Sequence, residues 1–311
     1  MICFRVILKH LICLVGLLFL YAGTTVAQDV SVFISPSQAY AEAVQIEKEV
    51  ELLLKHFKIS ERINPKPYKA ELKSRHVFEM AYVVLTKVQI LREKNGFSRF
   101  SIVSLEPKMS VDSELVYEQT QRILTELRII KTRLGISAQV FAAKSYSGKR
   151  PIDVFNKLHQ ISLNIELLNH EPILPNHVFA VVMKIDHDVD DILRHLFVDD
   201  QTFPPAKVEG AKPVDVLASV FALMGEIQRL QGQVGITRTD FSTFEQSEDV
   251  KPSDVFNMVG MAFAELQTIK ASLDITTIAP PAERLEGKTP ADSQQFISWV
   301  TRKLRLIEQL R

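Results

Sequence analysis

One stretch of the chain has the residue types and the spacing of a metal site. Within Ile185–His195, IDHDVDDILRH, the residues His187, Asp191 and His195 follow one another at steps of four. Residues four apart lie on one face of a helix, and imidazole and carboxylate groups are ligands for zinc and copper. The alternative is a solvated acidic face. We favour the solvated face and expect no bound cofactor.

A second set of polar residues recurs at the middle of the predicted helices. Ten residues after the first core residue of each helix stands an acidic, basic or amide side chain. The set is Glu49, Lys87, Glu126, Asn164, Asp188, Glu226, Glu265 and Lys303. These positions lie on the flank of the apolar stripe, so we expect interhelical ion pairs that fix register. The alternatives are a carboxylate metal site in the bundle and a pocket that binds a small molecule between helices.

Other catalytic and cofactor chemistries have no motif in this sequence. A ferritin-like di-iron centre requires Glu-x-x-His on two helices, and the chain contains no such pair. A Gly-rich phosphate loop, G-x-S-x-G and H-E-x-x-H are also missing. Met residues on apolar faces could ligate a haem, but core packing explains them better. We therefore expect a protein that is not an enzyme.

The elements that carry these residues are amphipathic helices with clear start and stop signals. Pro252 fits a first helical position, and Asp254 places a carboxylate in the first turn, where free N–H groups favour it. Apolar residues then recur every three or four positions. A Gly followed by an apolar residue is a typical helix stop. The predicted helices are Pro36–Phe57, Ser74–Asn95, Ser113–Leu134 and Pro151–Asn169, with four more from Pro175, Pro213, Pro252 and Pro290.

The eight helices repeat as two sets of four. Residue n matches residue n+139 without a gap, as for Pro36 with Pro175. We interpret the match as a tandem duplication, with a first four-helix unit at 28–172 and a second at 173–311. The expected fold class is therefore all-α and bundle-like, and a helical solenoid is the alternative.

The connections between the helices are long, at about 14 residues, which exceeds the usual range. A segment of that length can span about 46 Å, enough for neighbouring helices to run parallel. An up-and-down bundle is nevertheless the default expectation. The connections carry apolar residues that we expect to pack against the helices: Phe100, Ile102, Phe141, Phe203, Phe241 and Phe244.

The N-terminal segment 1–27 has the pattern of a cleaved signal peptide. Arg5 and Lys9 precede the apolar run Leu11–Ala22, and a small-x-small cleavage site ends at Ala27. An uncleaved membrane anchor is the alternative, although the run is short for a span of about 20 residues. Both cysteines lie in this segment, so the mature chain excludes disulfide and thiolate chemistry. The expected location is periplasmic or secreted.

Composition and elimination together give the expected function. The chain has 37 basic and 37 acidic residues, and loss of Arg5 and Lys9 makes the mature chain slightly acidic. Neither nucleic acid nor an anionic membrane is an expected partner. We expect a non-enzymatic protein-interaction or scaffold module that binds another protein of the cell envelope. Alternatives are a periplasmic small-molecule or sensory binding protein and, less favoured, a metal or haem carrier.

Overall fold

A computed structural model describes residues 34–169, 173–244, 249–281 and 285–310. In these ranges the regular structure is entirely helical, which confirms the all-α prediction. The helices are α1 (Pro36–His56), α2 (Ser74–Lys94), α3 (Ser113–Arg133), α4 (Pro151–Asn169), α5 (Pro175–His195), α6 (Pro213–Gln233), α7 (Pro252–Ser272) and α8 (Pro290–Arg305), with a 3-10 turn at Ser242–Phe244. The predicted signal peptide lies outside the described residues.

Helix starts agree with the sequence signals at all eight helices. At seven of them, the third helical side chain accepts a hydrogen bond from the backbone N–H just before the helix. These side chains are Gln38, His76, Asp153, His177, Asp215, Asp254 and Asp292. At α3, Asp112 instead accepts from the N–H of Leu115 at 2.9 Å. Each bond satisfies a donor that the helix itself leaves free.

Helix ends use the left-handed conformation that the Gly stop signals predict. At α3, Gly135 has a φ of 72°, and the N–H of Ile136 donates to the carbonyl of Lys131 at 3.1 Å. Lys58 and Phe197 take the same conformation without being glycine, at φ values of 58° and 55°. A side chain in this region costs about 1 kcal/mol, so these two residues are mildly strained.

Each set of four helices closes into a ring. We call the ring of α1–α4 the first bundle and the ring of α5–α8 the second bundle. In the first, the contacts run α1 to α3, α3 to α2, α2 to α4 and α4 to α1. The second bundle has the corresponding contacts among α5, α7, α6 and α8. Among the described residues, α1 and α2 do not touch, because they lie on a diagonal of the ring. The sequence shift that matches Pro36 to Pro175 also matches the last residue of α1, His56, to the last residue of α5, His195.

Within each bundle the helices run parallel, so the default expectation of an up-and-down arrangement is wrong. In the second bundle, the first residues of α5, α6, α7 and α8 line one small space: Pro175, Pro213, Pro252 and Pro290. In the first, the N–H of Lys149, just before α4, donates to Ser37 of α1 at 3.1 Å. The long connections return along the bundle, as their reach allows.

Parallel helices gather the positive ends of their dipoles at one end of the bundle. That arrangement is unfavourable unless negative groups lie there. In the second bundle, Asp215, Asp254 and Asp292 occupy the first turns of three of the four helices. The repeated Asp at this position therefore has a structural explanation in both capping and dipole compensation.

The two bundles pack against each other through α2 and α7, which run antiparallel. Arg75, at the start of α2, pairs with Glu265 in the second half of α7. Further along α2, Glu79 lies beside Gly260 in the first half of α7. Buried apolar residues of both bundles form one continuous core, so the described residues of the two bundles form one compact unit. The C-terminal ends of the two bundles consequently lie at opposite ends of the molecule.

The connections only partly behave as predicted. Phe241 and Phe244 are buried, and Phe100 and Ile102 pack against the core. Phe141 and Phe203 are 80% and 77% exposed, so the prediction that they pack is wrong. No described helix is both long enough and apolar enough to cross a bilayer.

Candidate functional site

The mid-helix polar residues are held by contacts with other residues. Each contacts partners outside the set. Glu49 pairs with Lys131, Lys87 with Glu166, Glu126 with Arg92, Asp188 with Lys270, Glu226 with Arg305, Glu265 with Arg75 and Lys303 with Asp186, while Asn164 hydrogen-bonds the backbone of Ile63. Most of these pairs join different helices, so they connect neighbours around each ring.

Two of the pairs have the same geometry in the two bundles. Glu49 forms an ion pair with Lys131 at 2.6 Å, and Lys131 also donates to the carbonyl of Ala138 at 2.9 Å. At the matched positions of the second bundle, Asp188 accepts from Lys270, which donates to the carbonyl of Thr277 at 2.7 Å. In both bundles the lysine connects the first helix, the third helix and the segment that follows it.

A third pair keeps its place but exchanges its charges. In the first bundle Lys87 of α2 pairs with Glu166 of α4 at 2.8 Å. In the second bundle the corresponding residues are Glu226 and Arg305, also 2.8 Å apart. Burial lowers the pKa of Lys87, and the carboxylate of Glu166 opposes that effect. Opposite charges on these two helices are thus retained whichever helix carries the acid.

Glu265 is the centre of the polar network between the bundles. It is fully buried, and Arg75 donates to both of its oxygens, at 3.0 and 3.1 Å. His76 and Gln231 also donate to it. Burial alone would raise the pKa of Glu265, but these hydrogen bonds and the charge of Arg75 outweigh it and lower the pKa to about 2. Glu265 is therefore an anion whose binding capacity is used within the fold.

His76 contributes to this network as a neutral donor. Its Nδ1 accepts from the backbone N–H of Lys73 at 2.9 Å, so that nitrogen carries no proton. Its Nε2 faces Glu265 and must therefore be the protonated atom. Burial lowers the pKa of His76, in agreement with the neutral form. The positive charge beside Glu265 comes from Arg75.

The candidate metal ligands of α5 are arranged differently from the sequence prediction. His187 and Asp191 approach to 3.6 Å, and Asp188 joins them within 4.8 Å. His195 is exposed and takes no part in this cluster. Lys270 already contacts Asp188 and lies 3.3 Å from Asp191. Its ammonium group provides the positive charge that a metal would otherwise supply to the two carboxylates.

Two serine–lysine contacts resemble a nucleophile beside a base. Lys87 lies 3.0 Å from Ser162, which is fully buried and out of reach of a substrate. Lys184 of α5 lies 2.8 Å from Ser104 and 3.0 Å from the hydroxyl of Tyr82. This second contact ties the α2–α3 connection to the second bundle. Both contacts have a role in packing.

The C-terminal end of the first bundle carries an open groove of about 810 Å³, which we call the basic groove. It runs between the last turns of α1 and the start of the α3–α4 connection. Its lining residues are Lys48, Glu51, Leu52, Lys55, Lys58, Ile59, Ser60, Arg62, Gln139, Val140 and Phe141. Four cations therefore surround a single acid and several apolar side chains.

The cations of the basic groove are available to a ligand. In the described part of the chain, Lys48, Lys55 and Lys58 form no ion pair, and Arg62 donates to the carbonyl of Ile59 at 2.8 Å. Cations near helix C-termini also stabilise the helix dipole. That effect does not explain Phe141, whose ring is 80% exposed beside them. Aromatic side chains are enriched at protein interfaces, so the exposed ring makes this groove a candidate recognition surface.

Sequence reasoning missed the basic groove because its residues come from two distant segments. Lys55 and Lys58 are each typical of a helix end, and Phe141 was expected to pack. The sequence comparison between the repeats held a usable signal, since Lys58 matches Phe197 and Arg62 matches Gln201. A charge present in only one of two matched units is not required by the shared fold.

Comparisons with known proteins give no match: no protein-family model, no curated protein and no solved structure matches this chain.

Proposed function

We propose that this protein is an exported, non-enzymatic helical module that binds an acidic segment of another protein at the cell envelope. The observation that supports this function is the basic groove, where free cations flank an exposed aromatic ring. Acidic side chains of a partner would pair with Lys55 and Lys58, and an apolar side chain would pack on Phe141. Complementary charge would speed the encounter and select against basic partners.

A surface site is favoured over a ligand site inside the bundles. The mid-helix residues that could line an interior pocket already have charged partners, as Glu265 has in Arg75. A ligand that displaced one partner would leave a buried charge unpaired, at a cost of about 3–5 kcal/mol. The groove requires no such rearrangement, because its cations face solvent.

Two further parts of the proposal concern origin and location. We propose that the two bundles arose by tandem duplication, and the matched contacts of Glu49–Lys131 and Asp188–Lys270 support that origin. The charged and apolar pattern of segment 1–27 supports export to the periplasm or beyond.

Fluorescence anisotropy with a labelled peptide tests the proposed function. The peptide is rich in Asp and Glu and contains one Phe; a scrambled-charge version with Lys in place of the acids is the specificity control. A Lys55→Glu, Lys58→Glu variant should weaken binding at least tenfold. The matched control, Lys66→Glu with Lys69→Glu, makes the same change in net charge on an exposed connection outside the groove and should bind as the wild type does.

The outcomes separate the candidate functions. Equal binding by the groove variant and the control variant would refute the groove as the site. No binding of the acidic peptide, together with a bound small molecule in native mass spectrometry of the purified protein, would favour the small-molecule alternative.

A further inference from the structure

The C-terminal end of the second bundle differs from the basic groove at matched positions. Lys58 of the groove corresponds to Phe197, and both take the left-handed backbone conformation. Phe197 is 96% exposed. Ile278 is 50% exposed and follows Thr277, whose hydroxyl donates to Asp191 of α5. Where the first bundle presents a cation, the second therefore presents an aromatic ring.

This end carries three exposed acids, and one exposed cation, Arg238, lies against the last turn of α6. Asp199, Asp274 and Glu308 are exposed. Two other cations at this end already have partners: Arg194 pairs with Asp191 at 2.8 Å, and Arg305 pairs with Glu226 at 2.8 Å. The end thus combines a protruding aromatic side chain with unpaired carboxylates, which is the chemistry that the basic groove would bind.

Phe197 has no visible role in the fold that would explain its place. Its side chain is almost fully solvated, so it contributes little to the core. Its φ of 55° is costly for a residue with a side chain, a cost that Lys58 and Asp274 also bear at equivalent helix ends and that Gly96, Gly135 and Gly235 avoid. A strained and exposed Phe is better explained by a contact with another molecule.

The two complementary ends lie at opposite ends of the molecule, because α2 and α7 pack antiparallel. We propose that the C-terminal end of the second bundle of one copy docks into the basic groove of the next copy. Phe197 of one molecule packs against Phe141 and Leu52 of its neighbour, and Asp199 faces Lys55 and Lys58. The contact is heterologous, so successive copies join head to tail. This inference rests on the proposed function and identifies the partner as a second copy of the same protein.

Sedimentation velocity of the purified wild-type protein tests the assembly. The weight-average mass should rise with concentration over roughly the micromolar range expected for a small interface. The rise should be strong in about 0.01 M salt and lost in about 1 M salt, because the screening length falls from about 30 Å to about 3 Å.

Two variants and their mixture give the decisive result. The groove variant carries Lys55→Glu and Lys58→Glu, and the end variant carries Phe197→Gly and Asp199→Ser, which leaves no charge at position 199 that could pair with the mutated groove. Each should remain monomeric at concentrations at least tenfold above those at which the wild type assembles. An equimolar mixture should form dimers and stop there, because each variant keeps one intact surface and the dimer has none left. The Lys66→Glu, Lys69→Glu control should assemble as the wild type does.

Several results would overturn the assembly. A wild type that stays monomeric at low salt refutes it, as does a mixture that forms no dimer. If the monomer still binds the acidic peptide, the proposed function stands and only the self-assembly fails. If neither peptide binding nor assembly occurs, both fail. Circular dichroism shows whether each variant is folded, and Phe197→Gly removes strain, so unfolding is not the expected cause of its monomeric state.

Discussion

Replacing Glu79 by glutamine should stabilise the protein at neutral pH and remove a pH dependence that the wild type shows. Glu79 lies on α2, is 4% exposed, and has one carboxylate oxygen without a hydrogen-bond partner among the described residues. Burial raises the pKa of Glu79 to about 8, and the nearby charge of Lys184 only partly opposes that rise. The folded protein therefore holds this carboxyl group protonated near pH 7.

The magnitude follows from proton linkage. The unfolded chain has a carboxyl pKa of 4.5 and loses its proton at pH 7, whereas the folded chain keeps it. Folding at pH 7 must then bind a proton, which costs about 3 kcal/mol. Because the pKa of Glu79 is higher in the folded state than in the unfolded state, this group contributes full stability at or below pH 4.5. Its contribution is lost as the pH rises towards 8. Glutamine is neutral throughout and avoids the cost.

Urea unfolding followed by circular dichroism measures the effect. The difference in unfolding free energy between Glu79→Gln and the wild type should be near zero at pH 4.5 and about 1–3 kcal/mol in favour of the variant at pH 7. Glu61→Gln, an exposed substitution, serves as the control and should leave the pH profile unchanged. A difference that does not change with pH, or a destabilised variant at pH 7, would show that Glu79 is ionised in the fold.

Two further substitutions test the internal ion pairs and the strained helix end. Lys270→Met removes the ammonium partner of buried Asp188, which keeps its bond from the neutral Gln267, and should lower the unfolding free energy by about 3–5 kcal/mol. The matched Lys131→Met should cost clearly less by the same urea assay, since Glu49 retains Arg128 at 3.1 Å; equal losses would contradict the role given to that arginine. Phe197→Gly should raise the unfolding free energy by about 1 kcal/mol, because glycine takes a positive φ without strain. A loss of stability in thermal unfolding of this variant would mean that the Phe197 ring packs in solution.

The sequence allowed the helices to be predicted almost to the residue but left the partners of their polar residues open. The mid-helix positions were correctly placed on helices, yet nothing in the sequence showed that Glu265 would meet Arg75 across the two bundles. Asp188 was assigned to the mid-helix polar residues and His187 to the candidate metal ligands. The structure places both in one cluster. Lys270, which neutralises that cluster, belonged to neither set, because it lies five residues after the mid-helix position of α7.

What the sequence determined by itself is the local structure. Proline at the first helical position, a capping side chain two residues later and a glycine at the end act over three to five residues, so where they occur they set the helix bounds locally. Only the tertiary structure decided that the helices run parallel, that α2 and α7 join the bundles antiparallel, and that Lys58 and Phe141 border one groove. The long connections permit either helix direction, so the choice depends on packing between residues far apart in the chain.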